Sequence, residues 1–472
     1  MAASAPVSQS DARAALAELP PALVSVDAAE LAPHLVDWRG ASRGEAIALL
    51  RPRDSSEVQQ IVRWAGRHGI ALVPQGGNTG LVGGGIPEHG GRPAVLLSLR
   101  RMNRVLAVDP HGLSLLAEAG TILDHVHEAA DAAGCRFPLS LGSRGSATVG
   151  GLVSTNAGGV QVLRHGPMRS QVLGLEAVLA DGTILNQLSA LRKDNCGYDL
   201  KQLLIGAEGT LGVVTRVALR LAPALTEATI AWAAVPSADA ALLLLSRLRA
   251  GLGERVESFE LISRVALDLV LEKLPGTRRP VATASDFHVL VEAESRAAAV
   301  ELLLAAAIEA GEVLDATLAA SGGQAADFWA LRENIAVAER LEGMAVKNDI
   351  AVPVDRVAEF DRRAHALFGR LYPDARPIVF GHLGDGNLHW NLRPPQGEEA
   401  AGWVKAHGAE ARHALHDLVA EFHGSISAEH GIGTLKAAEL ARLGDPGRLF
   451  AMRTVKAALD PGGIMNPGKI FC

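Results

Sequence analysis

The sequence predicts an α+β fold with more than one domain, and three observations support this class. The chain has 472 residues, of which 48% are hydrophobic, so it is too long for a single small core. Up to about residue 222, short apolar strands alternate with glycine-rich loops. Beyond that position, a strand followed by a helix occurs twice. This change in sequence pattern near residue 222 predicts domains at 41–222 and 223–420. It leaves an N-terminal extension of residues 1–40 and a C-terminal segment of residues 421–472.

The composition excludes several classes of partner and location. A net charge of -7 offers no general attraction for nucleic acid, and no apolar run reaches the length of about 18 residues that spans a bilayer. The amino-terminal stretch lacks the basic and apolar regions of a secretory signal. Cys135, Cys196 and Cys472 have no CxxC spacing, so neither a disulfide framework nor a thiolate zinc site is expected. A cytoplasmic location fits best.

The first ligand-binding signal follows a predicted helix and strand. The capping box that Asp54 starts and the apolar positions after it predict a helix that Gly69 ends. Residues 70–74 predict a short buried strand that runs into the glycine-rich loop 75–80. Glycines let the backbone come close to a ligand, and successive N–H groups there form an anion-binding concavity. This loop is therefore a candidate pyrophosphate site.

Two further glycine-rich segments point to the same ligand. Residues 142–151 are followed closely by 156–159, and residues 206–212 precede a predicted strand at 213–221. Any one segment is equally well explained as a tight turn. Three of them with few charges indicate one extended ligand threaded through backbone. The sequence has neither a GxGxxG opening a helix nor a GxxxxGK[ST] loop, so nicotinamide and ATP folds are not supported.

The second domain is predicted to be a small antiparallel sheet. Strands at 228–235 and 287–293 are each followed by a helix, at 237–250 and 295–310. With a further strand at 256–261, this order suits a ferredoxin-like sheet with helices on one face. Such a domain could cap the bound ligand, or it could be a structural or oligomerisation domain.

The motif HLGDGNLH at 382–389 predicts a metal site. A two-residue Asp-Gly hairpin would place His382 opposite His389, close enough for both imidazoles to bind one cation. Asn391 would point the same way. Glu429 is the candidate third ligand, and His430 beside it is the candidate catalytic base. The alternative is a pair of core histidines; for a cation, Zn²⁺ is preferred and Mn²⁺ is compatible.

Two cationic residues are candidates for substrate binding. Arg332, predicted at the start of a helix beside two aromatic residues, suits a bidentate clamp on a carboxylate. The alternative is a surface arginine paired with Glu333 or Glu339. Lys347 is predicted to point to the same face as Asp349, and an ion pair between them is an adequate structural explanation.

Together these motifs resemble the flavin-dependent D-2-hydroxyacid dehydrogenases of the vanillyl-alcohol-oxidase, PCMH-type FAD superfamily. The resemblance rests on PQGGNTG, GGLVSTNAGG, AEGTLG, HLGDGNLH, SAEHGIG and NPGKIF, in that order, over about residues 40–472. It implies a PCMH-type FAD-binding domain of two α+β subdomains and a ferredoxin-like α+β substrate domain. It also implies a C-terminal helical segment that returns to the flavin.

The resemblance implies which residues contact FAD. The pyrophosphate would be held by Gln75, Gly76, Gly77, Asn78, Thr79 and Gly80. The ribityl and isoalloxazine portions would be lined by Gly142, Thr148, Gly150, Gly151, Asn156, Gly158 and Gly159, with Asn466 near the ring. The adenine side or the ring edge would contact Gly209, Gly212 and Val214. Relatives with covalent FAD often carry a histidine where this chain has Asn78, which implies non-covalent FAD.

The resemblance also implies the reaction, which is oxidation of a D-2-hydroxyacid to the 2-oxoacid. Arg332 would orient a carboxylate, with Lys347 and Asn391 as further anchors. Lys347 in KNDIAVP matches the pattern that binds a distal carboxylate, which favours D-2-hydroxyglutarate. Ala336 stands where hydroxyglutarate enzymes carry a threonine, so D-lactate and glycolate remain open.

Partners and other function classes also remain open. An electron-transfer flavoprotein or a quinone is the usual electron acceptor in the resembling family, and a homodimer is a modest preference. A metal-dependent hydrolase would use the histidines without flavin and would be colourless. A non-catalytic flavin-binding protein would be yellow but inert to hydroxyacids.

Overall fold

The computed structural model describes residues 7–40 and 42–471 and has a mixed α+β architecture. The chain forms two compact units. Unit 1 comprises the described residues of Met1–Gly158, Pro167–Ala224 and Glu429–Cys472, and unit 2 comprises Gly159–Gly166 and Leu225–Ala428. The C-terminal segment of unit 1 therefore begins at Glu429, whereas the sequence predicted a segment that begins at residue 421.

The helices are α1 Gln9–Ala15, α2 Ala28–Leu31, α3 Ser55–His68, α4 Leu123–Ala132, α5 Val149–Thr155, α6 Val162–His165, α7 Met168–Gln171, α8 Lys201–Leu204, α9 Ala238–Leu252, α10 Arg264–Lys273, α11 Ala297–Glu309, α12 Gly322–Glu333, α13 Ile335–Glu342, α14 Val357–Leu371, α15 Ala400–Glu421, α16 Ala437–Leu443 and α17 Pro446–Leu459. Short 3-10 turns occupy Leu16–Glu18, Pro21–Leu23, Ala32–His34, Gly253–Arg255, Val354–Arg356 and Leu383–Asp385.

The strands are β1 Val24–Ser25, β2 Ala48–Leu50, β3 Ala71–Gln75, β4 Ala94–Ser98, β5 Val105–Asp109, β6 Ser114–Glu118, β7 Cys135–Arg136, β8 Val172–Leu179, β9 Ile184–Gln187, β10 Gly212–Arg220, β11 Ala222–Pro223, β12 Thr229–Val235, β13 Val256–Ser263, β14 Phe287–Ala293, β15 Asp315–Leu318, β16 Ile350–Ala351, β17 Arg376–His382 and β18 Asn387–Arg393.

Unit 1 contains two larger sheets and one short strand pair. The first sheet has the order β1-β2-β4-β3, with β4 parallel to both β2 and β3. All five residues of β4 are buried, as expected of a strand covered on both faces. The second sheet, β5-β6-β10-β8-β9, is antiparallel throughout, and β7 pairs with β11.

Helix α3 forms as its sequence predicts and leads directly to the first glycine-rich loop. The Asp54 carboxylate accepts hydrogen bonds from the backbone N–H groups of Ser56 and Glu57, which caps the first turn. Gly69 ends the helix in the left-handed conformation with φ 62°, which glycine adopts without steric cost. Strand β3 follows and delivers the chain into the loop after Gln75.

The described part of the predicted N-terminal extension is a component of unit 1. Strand β1 pairs with β2, and the Trp64 indole N–H donates to the carbonyl of Ala15 at 2.9 Å. Apolar residues of the first helix and turns are buried in the same core as α3, namely Ala12, Ala15, Leu16, Leu19 and Leu23. Residues 7–40, which the sequence assigned to an N-terminal extension, therefore bury their apolar side in the core of unit 1.

Unit 2 is built on one antiparallel sheet of seven strands, in the order β15-β12-β14-β13-β17-β18-β16. Each predicted strand and helix is present, but helices pack on both faces instead of one. Ala231 and Ala233 pack with residues of α9 and α11. Trp232 and Ala234 point to the opposite face and pack with residues of α10, α12 and α13. Since successive residues of a strand alternate between faces, this buried apolar strand needs cover on both sides.

Among the helices of the described residues, none combines the length and the apolar composition that crossing a lipid bilayer requires. Cys135 is a buried free thiol and Cys196 an exposed one. Cys472 lies outside the described residues.

Candidate active site

The first two glycine-rich segments pack closely together in unit 1. A Cβ atom on Gly77 would overlap the carbonyl oxygen of Ser146, and one on Gly76 would overlap Thr148 Oγ1. A Cβ atom on Gly150 in α5 would lie 2.7 Å from the Cβ atom and 3.0 Å from the carbonyl oxygen of Ala119. These positions require glycine because another segment of the chain fills the space of a side chain. The two segments therefore form one backbone-lined surface.

Two buried oxygen atoms in this part of unit 1 fit a polar cofactor. Thr148 Oγ1 and Asn466 Oδ1 are buried and have no hydrogen-bond partner among the described residues. Buried polar atoms are nearly always satisfied by protein, water or ligand. Both residues were predicted from the resemblance to contact FAD, and the hydroxyl and ring N–H groups of FAD offer suitable partners. The residues present therefore fit the cofactor.

Two residues of the first loop use their side chains to hold the loop itself. Gln75 Nε2 donates to the carbonyls of His34 at 2.9 Å and Gly85 at 2.8 Å, and His34 Nδ1 lies 2.5 Å from Gln75 Oε1. Asn78 adopts φ 56° and its Nδ2 donates to the carbonyl of Val36 at 2.9 Å. Any contact of Gln75 or Asn78 with a pyrophosphate would therefore come from their backbone N–H groups.

The other predicted flavin contacts are spread over several elements. Gly80 and Gly142 are exposed, and Thr79 is half-buried. Asn156 ends α5 with φ 50°, whereas Gly158 ends the first segment of unit 1 and Gly159 opens the short insert of unit 2. The third glycine-rich segment supplies Gly209 with φ 72°, Gly212 at the start of β10 and the buried Val214.

Glu208 in the third segment holds the chain just after His430. Its carboxylate accepts hydrogen bonds from the backbone N–H groups of Ile432 at 2.7 Å and Gly433 at 2.8 Å. Asn466 Nδ2 donates to the backbone carbonyl of Glu208 at 2.6 Å. Burial raises the pKa of the Glu208 carboxyl, against the lowering effect of those two N–H donors. Glu208 was not among the predicted site residues.

The histidine hairpin in unit 2 has a different register from the predicted one. Leu383–Asp385 form a 3-10 turn and Gly386 adopts φ 83°, so the loop is longer than two residues. His389 faces Phe380, and His382 is the partner of Glu260 on β13. The prediction that His382 faces His389 is therefore wrong by two residues. A shift of two keeps side chains on the same face, and the two imidazole ring centres are still only 6.0 Å apart.

Glu260 joins a predicted metal ligand to a predicted substrate-binding residue. The Oε1 atom of this buried glutamate lies 2.7 Å from His382 Nδ1, and its Oε2 accepts from Arg332 Nε at 2.8 Å. Burial acts to raise the pKa of Glu260, but the charges of His382 and Arg332 outweigh it and leave that pKa below its ordinary value. Because the carboxylate accepts the proton on Nδ1, His382 Nε2 is the nitrogen that would bind a cation.

Arg332 differs from the prediction in position and in partner. It lies in the last turn of α12, whereas the sequence predicted the start of a helix. It is buried, with its guanidinium over the ring of Phe380 at 5.0 Å from the ring centre. Glu260 is its ion-pair partner, so the alternative of a surface pair with Glu333 or Glu339 is wrong.

Glu339 joins the other two predicted substrate-binding residues. This fully buried carboxylate accepts from Asn391 Nδ2 at 3.1 Å and 3.0 Å, and Lys347 Nζ lies 3.2 Å from its Oε2. Glu339 is thus an ion-pair partner of Lys347, whereas the alternative explanation of Lys347 had named Asp349. Asp349 instead accepts from Asn387 Nδ2 at 2.9 Å, with His389 Nδ1 3.9 Å away.

Glu429 and His430 are both partly buried and open the last segment of unit 1. The sequence predicted both as site residues, together with Arg332, Lys347, His382 and His389 of unit 2. The buried acids Glu260 and Glu339 were not predicted. An acidic residue inside the apolar strand VESFELIS is a signal that could have found the first, because a buried carboxylate requires a partner.

Comparison with known proteins decides the family. Residues 46–187 match the family described as FAD binding domain. Residues 225–470, more than half of the chain, match the family described as FAD linked oxidases, C-terminal domain. The chain belongs to the FAD-linked oxidase family. FAD is therefore its cofactor, and it is an FAD-dependent oxidoreductase.

Several relatives share most of the length of this FAD-linked oxidase. A protein of Bos taurus named D-2-hydroxyglutarate dehydrogenase, mitochondrial, is 40% identical over 98% of this chain and 83% of its own. D-2-hydroxyglutarate dehydrogenase of Xanthomonas citri pv. viticola is 37% identical over 96% and 95%, and the mitochondrial enzyme of Arabidopsis thaliana is 38% identical over 92% and 77%. The predicted membership of the flavin-dependent D-2-hydroxyacid dehydrogenases is confirmed, which disfavours the hydrolase and the inert flavin-binding protein.

Solved structures show the same fold. p-Cresol methylhydroxylase with substrate bound has a TM-score of 0.75 at 16% identity and covers 98% of this chain and 97% of its own. Alkyldihydroxyacetonephosphate synthase has a TM-score of 0.71 at 16% identity, covering 98% and 86%. The predicted PCMH-type α+β fold class is confirmed by these likenesses, which at such identities concern the fold alone.

Proposed function

We propose that this FAD-linked oxidase oxidises D-2-hydroxyglutarate to 2-oxoglutarate with a divalent cation, for which Zn²⁺ is preferred and Mn²⁺ is compatible. The observation that carries the proposal is that two buried carboxylates in unit 2 contact four predicted site residues. Glu260 contacts His382 and Arg332, and Glu339 contacts Lys347 and Asn391. This cluster offers an imidazole for a cation and two cationic groups for carboxylates. Relatives named D-2-hydroxyglutarate dehydrogenase support the same substrate.

The chain's charged residues define how the substrate is held. Arg332 orients the carboxylate next to the hydroxyl group, and its planar guanidinium suits that task. Lys347 binds the distal carboxylate as a point charge. Asn391, predicted as a further anchor, donates its amide to Glu339 and so holds the buried partner of Lys347 in place. A dicarboxylate uses both cationic groups, whereas a monocarboxylate uses one. The arrangement therefore favours a hydroxydicarboxylate.

The proposed cation ligands are His382, His389 and Glu429. Two imidazole nitrogens and one carboxylate are the set of three protein ligands typical of a catalytic zinc, which keeps positions open for substrate oxygens. The bond from Glu260 to His382 Nδ1 directs Nε2 toward this role. Oxygen-rich substrate ligation would also tolerate Mn²⁺.

His430 is the proposed proton acceptor. When bound, FAD would supply the acceptor for the hydride, and a cation on the proposed ligands would lower the pKa of the substrate hydroxyl. The substrate carbon loses a hydride and its hydroxyl loses a proton, which His430 takes at an imidazole nitrogen. Asn78 in place of a histidine supports non-covalent FAD. Glu208 holds the backbone two and three residues beyond His430 and so limits how far it can move.

A second candidate is D-lactate or glycolate. Ala336, exposed near the start of α13, offers no hydroxyl where the threonine of hydroxyglutarate enzymes is expected. A relative of Schizosaccharomyces pombe, 35% identical, is named putative D-lactate dehydrogenase. An electron-transfer flavoprotein or a quinone as electron acceptor, a homodimer and a cytoplasmic location all stay predictions.

The test is anaerobic mixing of the FAD-loaded enzyme with D-2-hydroxyglutarate while flavin absorbance is followed. We expect chelation of the cation to abolish flavin reduction and added Zn²⁺ to restore it. We also expect His430→Ala to slow reduction by about 10²- to 10⁴-fold, with FAD and metal retained. His125→Ala, an exposed histidine of α4, is the matched control. A wild-type rate of flavin reduction in His430→Ala would show that His430 is not the base. Activity that chelation leaves unchanged would show that the cation takes no part in the reaction.

A further inference from the structure

The buried carboxylate of Glu260 contacts two proposed site residues, His382 and Arg332. It lies on β13 directly across from His382 on β17, and directly opposed residues on neighbouring strands are close enough for their side chains to interact. Its two carboxylate oxygens serve different partners. Oε1 lies 2.7 Å from His382 Nδ1, whereas Oε2 lies 2.8 Å from both Nε and an Nη atom of Arg332.

Each of these contacts fixes the orientation of a longer side chain. A hydrogen bond on Nδ1 sets the tautomer and the ring plane of a histidine that binds metal through Nε2. Two guanidinium N–H groups directed at one carboxylate oxygen, with the ring of Phe380 below, hold the plane of Arg332. The His382 imidazole and the Arg332 guanidinium are therefore oriented by the same carboxylate.

We infer that Glu260 is a positioning residue that orients the metal-binding nitrogen of His382 and the carboxylate-binding plane of Arg332 at the same time. This inference rests on the proposed function and deepens it. It adds that cation binding and recognition of the carboxylate beside the hydroxyl are set by one buried group. Loss of Glu260 must then weaken both, although it is expected to touch neither cation nor substrate.

A purely structural role makes a different prediction. If Glu260 only neutralised Arg332 inside unit 2, its loss would lower stability and leave the affinity for Zn²⁺ unchanged in the folded protein. Glu257 provides a matched comparison because it lies on the same strand, is equally buried and is ion-paired with Arg164 and His165. Neither Arg164 nor His165 is a proposed site residue.

The experiment compares Glu260→Gln with Glu257→Gln in the full chain carrying FAD. Competition with a colorimetric chelator gives the Kd for Zn²⁺, and steady-state assays give KM and kcat for D-2-hydroxyglutarate. We expect Glu260→Gln to raise the Zn²⁺ Kd by about 10- to 100-fold and to raise KM, measured with saturating Zn²⁺, by about 10-fold or more. We expect Glu257→Gln to leave both values close to those of wild type, because Arg164 and His165 are not proposed to bind cation or substrate.

Unchanged Zn²⁺ affinity in folded Glu260→Gln, or a change confined to one of the two measurements, would overturn the joint role. If Glu260→Gln does not fold, Glu260→Asp decides by the same two measurements, because it keeps the charge but is one methylene too short to reach both partners. Failure of the proposed function is distinguishable, because then the wild type itself binds no Zn²⁺ or leaves its flavin oxidised with every hydroxyacid.

Discussion

Lys347 Nζ lies 3.2 Å from Glu339 Oε2, and Asn391 Nδ2 donates to the same buried carboxylate. Glu339 thus holds a lysine and an amide in a fixed relation, as Glu260 does for a histidine and an arginine. The side chain of Lys347 is 26% exposed, whereas Glu339 is fully buried. An anion from solvent can therefore reach part of the Lys347 side chain, while the buried Glu339 holds its ammonium group.

Replacing Lys347 tests the proposed choice of a dicarboxylate. We expect Lys347→Met to raise KM for D-2-hydroxyglutarate by about 10-fold or more, because a charge-assisted contact contributes about 1.5–3 kcal/mol. KM for D-lactate should change little, since it has no distal carboxylate. Lys405→Met, an exposed lysine of α15, is the control. Equal changes for both substrates would show that Lys347 does not select the dicarboxylate.

Gly77 tests the backbone surface that we assign to FAD. Its Cβ would overlap the Ser146 carbonyl, so Gly77→Ala must separate the two loops. We expect the purified variant to lose most of its FAD, measured as the ratio of flavin to protein absorbance. Gly66→Ala in α3 is the control, because the nearest atoms to its Cβ would be 3.9 Å away. Full retention of FAD in Gly77→Ala would contradict the assignment.

Glu208→Ala tests the anchor of the segment that carries His430. The substitution leaves the N–H groups of Ile432 and Gly433 without their acceptor, and each buried unsatisfied group costs about 1–3 kcal/mol. We therefore expect a lower thermal midpoint and slower flavin reduction by substrate. Glu128→Ala, an exposed glutamate of α4, controls for loss of a surface charge. A wild-type rate of flavin reduction would show that this anchor does not matter for catalysis.

His288 makes stability depend on pH in a defined window. Burial, followed by the charge of Arg279, lowers its pKa from 6.5 to about 4. Between these values the unfolded chain binds a proton that folded His288 does not, so stability is full above pH 6.5 and falls as pH drops toward 4. This pKa difference corresponds to at most about 3 kcal/mol.

The measurement is the free energy of unfolding by denaturant at a series of pH values. We expect His288→Gln, which can still accept the hydrogen bond from the Trp232 indole, to have a flatter pH dependence than wild type in this window. His125→Gln should keep the wild-type slope. Identical slopes for wild type and His288→Gln would contradict a neutral buried His288.

Features that depend on residues close together in the chain were predicted from the sequence. The Asp54 cap, the Gly69 stop and the strand-helix order of unit 2 depend on residues close in the chain, and each is present in the structure. The hairpin register depended on the turn type, and the 3-10 turn at Leu383–Asp385 changed it by two residues. Because sheet faces alternate with period two, the shift kept His382 and His389 near each other.

The partners of the buried acids could not be predicted from local sequence. Glu260 lies 72 residues before Arg332 in the chain and 122 before His382, and only the packing of the seven-stranded sheet brings them together. The start of α12 was also missed, because the Ser321 cap precedes two glycines that do not favour a helix interior. Arg332 was therefore expected at the start of a helix, paired with Glu333 or Glu339, whereas it lies in the last turn of α12 and pairs with Glu260.

We propose that this enzyme passes a hydride from D-2-hydroxyglutarate to its flavin. The most direct measurement follows the loss of flavin absorbance on anaerobic mixing of the Zn²⁺-loaded enzyme with D-2-hydroxyglutarate, D-malate, D-lactate or glycolate. We expect D-2-hydroxyglutarate to bleach the flavin faster than the other three acids and at lower concentrations than they require, with 2-oxoglutarate as the product. A clear preference for D-lactate, or a flavin that stays oxidised with D-2-hydroxyglutarate, would contradict it.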